Sequence, residues 1–139
     1  MVAQLFIGTH ASALLRAEAL DAGATPPEAP HLDLDVAPED LDELGQIVAR
    51  VVRFGSGDTE AMEVDLEHES LVELPEFWCE ALTELAGSEE PDAVDDVAQA
   101  WAQAEGMAHA TGLGELVQRI ADLASRATDS GDAVYLWVG

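Results

Sequence analysis

The spacing of apolar positions changes several times along this chain, and each change predicts a new element. Residues 2–8 are apolar apart from Gln4, the pattern of a strand covered on both faces. From Thr9, a residue suited to capping a helix, the period lengthens. It predicts a helix to about Asp21 with Ala11, Leu14 and Leu15 on the buried side and Gly23 as the stop. T-P-P-E-A-P, residues 25–30, reads as a stiff connector. H-L-D-L-D-V, residues 31–36, then alternates strictly, so an extended backbone sets Leu32, Leu34 and Val36 on one face and His31, Asp33 and Asp35 on the other.

The helical period returns at Pro38. Acids fill the first turn, Leu41, Leu44, Val48 and Val51 form the stripe, and Arg50 and Arg53 close the helix where positive charge suits its dipole. F-G-S-G-D, residues 54–58, is a turn, and A-M-E-V-D-L-E-H, residues 61–68, alternates again as a second half-wet strand. Three further helices are predicted. The first opens at Pro75 with Leu74, Trp78, Leu82 and Leu85 at helical spacing. The second follows residues 88–92 with Val94, Val97, Trp101 and Ala104 inward. The third is marked by Leu113, Leu116, Val117, Ile120 and Leu123. Residues 133–138, A-V-Y-L-W-V, form a closing strand apolar on both sides.

The predicted order is β-α-β-α-β-α-α-α-β. This is an α+β (mixed α/β) fold, with a single-layer sheet of about four strands packed by about five helices. The two all-apolar strands should be central, and the two alternating ones should lie nearer an edge or present one face to water. At 139 residues with 48% hydrophobic side chains, the chain suits one domain with one core.

Charge alters this picture more than any motif does. Twenty-nine acids oppose five bases, all arginine, for a net charge of −24. Small soluble domains do well with a net charge of about 2 to 8 in magnitude. Self-repulsion at −24 works against folding, and solubility alone does not account for it. Direct binding to nucleic-acid backbones or anionic membrane surfaces is disfavoured, because both depend on lysine and arginine. A single cysteine, Cys79, gives no intramolecular disulfide and fits a reducing compartment. A cytoplasmic location is expected, since the start of the sequence lacks a basic region before its short apolar run and no apolar stretch reaches membrane-spanning length.

Candidate chemistry is sparse. If the two acidic strand faces pair as neighbours, carboxylates crowd one side of the sheet, at a cost of up to ~1 kcal/mol per like-charge pair. A divalent cation, a basic partner or screening by water and salt would relieve it. His31, Asp33, Asp35 and Asp65 are the candidate ligands for magnesium, calcium or manganese, but a solvated face is the commoner outcome and no cofactor is expected. The four histidines fall in no zinc spacing. F-G-S-G-D lacks the lysine of a phosphate loop. Cys79 has no basic neighbour to lower its pKa, and Trp78 and Trp101 sit at core spacing.

Between Arg53 and Arg119 there is no arginine or lysine, while acids run from Asp58 to Glu115. A surface of that kind steers cationic partners. The expectation is a non-enzymatic protein whose acidic face occludes a basic protein partner, as an immunity-type inhibitor or nucleic-acid mimic does. The residues assigned to that face are Asp33, Asp35, Glu63, Asp65 and Glu67, with Glu73, Glu76 and Glu80 as one helix face. Two alternatives stand beside it. One is a salt-adapted housekeeping domain whose acids serve solvation. The other is a small divalent-cation-binding protein or enzyme using the acidic strand faces.

Overall fold

Continuous burial along residues 3–8, on both faces in turn, builds the middle of the sheet. In a computed structural model, which describes residues 3–26, 28–55, 57–64, 67, 69–104, 107 and 112–139, this run is β1 (Ala3–Gly8), followed by α1 (His10–Asp21), β2 (His31–Leu34) and α2 (Pro38–Val51). Then come β3 (Met62–Glu63), β4 (Leu71–Glu73), α3 (Glu76–Ala86), α4 (Ala93–Ala102), α5 (Leu113–Ser130) and β5 (Ala133–Val138). The fold is α+β, with a five-stranded antiparallel sheet in the order β2-β1-β5-β4-β3.

The two apolar strands are interior and adjacent, paired from Ala3↔Val138 to Gly8↔Ala133. The two alternating strands, β2 and β3, are the edges. Four interstrand spacings of about 4.8 Å separate them, so their acids do not face one another. Five strands replace the four expected. L-V-E pairs with β5 as β4, a segment too short to announce itself by periodicity. Glu73 therefore lies on a strand, not on a helix face with Glu76 and Glu80. Of the strand expected over residues 61–68, Met62 and Glu63 pair with β4; Asp65, Leu66 and His68 lie outside the described residues.

The sheet has a thick side and a thin side. Ala3, Leu5, Ile7, Val134 and Leu136 point into the main core, built with α2, α3, α4 and α5 around the fully buried Trp78 and Trp101. The Trp78 indole N–H donates to the Leu41 carbonyl at 2.8 Å, and that of Trp101 to the Asp40 carbonyl at 3.1 Å, so both rings are anchored on α2. Gly45 permits this, because a Cβ there would stand 2.3 Å from Trp78 Cδ1.

Phe6 and Tyr135 point the other way, stacked 5.8 Å apart, and α1 covers them with Ala13 and Ala17. The stripe expected on α1 is therefore rotated. Leu14 is half-buried against the aromatic pair, but Leu15 is 58% exposed and Ala11 is exposed, whereas Ala13, Arg16 and Ala17 are buried. Small side chains let α1 sit close over the aromatic pair, and Arg16 replaces a leucine by laying its guanidinium 5.2 Å from the Phe6 ring centre. On α4 the buried set is Ala93, Val97, Ala98 and Trp101; Val94 is half-buried and Ala104 lies beyond the helix.

Candidate functional site

Three of the acids singled out in the sequence converge where β4 hands the chain to α3. Pro75 stops the strand and lets α3 begin at Glu76, placing Glu76, Cys79 and Glu80 on one side of its first two turns. Gly131, left-handed at φ +77°, ends α5 and turns the chain through Asp132 into β5. Between these junctions lies an open depression of about 420 Å³. Glu73, Glu76, Glu80 and Asp132 supply its carboxylates, and Met62, Leu74, Cys79 and Ala133 much of its apolar lining. Met62 is 42% exposed there, one of the few large apolar side chains so open to water among the described residues. Thr83 ties the two helices together nearby, donating to the Cys79 carbonyl at 2.7 Å and sharing a 3.0 Å hydrogen bond with Thr128 of α5.

Protons are held tightly around this site. Burial, reinforced by Glu73, Glu76 and Glu80, pushes the Cys79 thiol up to about 12. The thiol stays protonated at neutral pH and is a poor nucleophile. Burial also raises Tyr135 to about 12, helped by the charge of Glu73, a hydrogen bond to the Glu73 side chain and the charge of Asp132. The arrangement suits binding a cation with an aliphatic stem better than covalent catalysis.

The remaining predicted residues divide. Glu63 is exposed on β3, next to Met62 in the chain but outside the lining of the depression, and Glu67 is exposed in the turn that follows. Asp65 lies outside the described residues. Asp33 and Asp35 are at the opposite edge of the sheet. Asp33 has a structural partner, since it accepts from Gln4 Nε2 at 3.0 Å while Gln4 Oε1 accepts from Arg16 Nε at 2.7 Å. The Arg16 side chain is 3% exposed, and the charge of Asp33 partly offsets the burial that lowers its pKa. Among the described residues, no group of three or more histidine, cysteine, aspartate or glutamate side chains is placed to hold a metal ion. No described helix is long and apolar enough to cross a membrane.

Sequence reasoning missed Met62 and Asp132 as site residues. An exposed methionine beside a glutamate-rich segment and an aspartate following the helix-ending glycine were the signals available. It also missed that Arg119 and Arg126 gather along one side of α5, where they line a shallow depression with His31 and Leu32 of β2. Arg119 is additionally paired with Glu115 at 2.6 Å. No known family model, curated protein or solved structure matches this chain.

Proposed function

We propose that this chain is a non-enzymatic binding protein that covers a basic partner protein, in the manner of an immunity-type inhibitor or nucleic-acid mimic. The observation that carries the reading is the convergence of Glu73, Glu76, Glu80 and Asp132 around an apolar floor. Carboxylates at the rim attract a lysine or arginine, and Met62 and Leu74 can bury its methylene stem. The chain's net charge of −24 adds long-range steering toward any positive surface.

The test is capture of cellular proteins on immobilised full chain, compared with a Glu73→Gln/Glu76→Gln/Glu80→Gln variant. The expected outcome is one predominant basic protein retained at low salt. Its affinity should fall at least about tenfold between 0.05 and 0.5 M potassium chloride, as steering is screened, and by a similar factor in the variant. Retention indifferent to both salt and substitution would overturn the reading.

A second reading draws on a specific observation. Exposed acids also decorate other surfaces, among them Glu39 and Glu43 of α2, Asp95 and Asp96 of α4, and Asp122 of α5. That distribution favours solvation of the whole surface in a salt-rich cytoplasm, with no partner required.

A further inference from the structure

The two edges of the sheet are not equally protected. The β3 edge is two residues long, which blunts it, while the β2 edge runs for four. The Ile7 amide bonds to the Pro30 carbonyl at 3.3 Å, which fixes the phase of the β1–β2 ladder. Leu32 and Leu34 therefore turn their backbone groups toward β1, and His31 and Asp33 turn theirs outward. Among the described residues, no backbone hydrogen bond reaches those outward groups.

We infer that this edge joins the β2 edge of a second copy of the chain, antiparallel about a two-fold axis at Leu32, to give one continuous ten-stranded sheet. The sequence of the edge selects both partner and register. Centred on Leu32, each His31 lies opposite Asp33 of the second copy, the two leucines face each other, and Asp35 falls opposite Ala29. Moving the axis to Asp33 would still match each His31 with Asp35 but would set Asp33 against Asp33 at the centre, and moving it to His31 would set His31 against His31, so of these three the Leu32 register alone matches histidine with carboxylate without opposing like groups. Arg119 and Arg126, two of the four exposed arginines, lie beside this edge on α5 with Asp122 between them and Arg119 paired to Glu115, and they offset part of the repulsion between two acidic copies there. The acidic depression lies toward the opposite edge and stays open in such a dimer.

Sedimentation of the full chain at about 0.5 M potassium chloride, where screening length falls to about 4 Å, tests the inference. The expected species is a dimer whose population grows with salt, opposite in sign to partner capture through the acidic depression. Amide hydrogen exchange should show His31 and Asp33 becoming protected as chain concentration rises, while Glu63 at the far edge is unchanged. His31→Asp sets carboxylates opposite each other and should weaken the dimer at least about tenfold. If circular dichroism shows that variant misfolded, Arg119→Glu/Arg126→Glu, on the exposed side of α5, serves in its place with the same expected loss. A monomer at this salt, protection confined to Glu63, or a dimer unaltered by the folded variant would each overturn the inference.

Discussion

Cys79 and Tyr135 keep their protons far into the alkaline range because both are buried beside Glu73. In the unfolded chain they titrate near their ordinary values of 9.0 and 10.0, whereas in the folded protein each requires about 12. Below pH 9 both are neutral in either state and cost nothing. As pH rises from 9, the unfolded state releases its protons first, so stability falls progressively toward pH 12. Cys79→Ala removes the earlier of the two titrations. Denaturant midpoints measured across this range should then hold steady to about pH 10 before falling. At this scale the sequence was only partly legible. That Cys79 would be a protonated thiol followed from its lack of basic neighbours. That Asp33 would be held by Gln4, and that Arg16 would be buried over Phe6, did not, because these contacts depend on a helix crossing a sheet face whose pairing no local pattern encodes.

Helices were the most legible elements. Leu41, Leu44 and Val48 lie buried on α2 as their spacing requires, and Pro38 opens that helix. The edge and interior positions of strands also followed from alternating against continuous apolar patterns. Short pieces did not, since β4 makes its contribution through pairing with β5, which lies sixty residues downstream. The face of α1 was misread for a related reason. Leu14 packs half-buried against the cluster of Phe6 and Tyr135 as expected, but the fully buried positions there are Ala13 and Ala17, whose small side chains permit close approach, and Leu15 faces water. Gly45 illustrates packing overriding propensity. Alanine is a better helix former by about 1 kcal/mol, yet its Cβ would collide with Trp78 at 2.3 Å and crowd Thr59 at 3.0 Å. Overpacking of this kind costs about 1–3 kcal/mol. Gly45→Ala should therefore lower stability in chemical unfolding. Gly114→Ala in the first turn of α5, where the nearest atom is Asp95 Oδ1 at 3.8 Å, should raise it.

For the whole molecule, charge is the dominant fact, and it was fully readable beforehand; its distribution was not. The acids divide between one rimmed depression and a general coat, while Arg16 is buried and Arg119 and Arg126 sit together. Self-repulsion at −24 predicts that the melting temperature climbs with potassium chloride. Most of the gain should come below about 0.5 M, because the screening length shrinks from about 10 Å at 0.1 M to about 3 Å at 1 M. A rise that continues undiminished through molar concentrations would instead support the salt-adapted reading. One consequence of the β1–β5 pairing concerns synthesis. Residues 3–8 are synthesised well before their central partner, residues 133–138. Until that partner emerges a nearly uninterrupted apolar segment has no mate on that side, and closing the pair spans a long stretch of intervening chain. Folding should therefore be slow, and a nascent chain would rely on chaperones to shield the earlier strand until the later one is made.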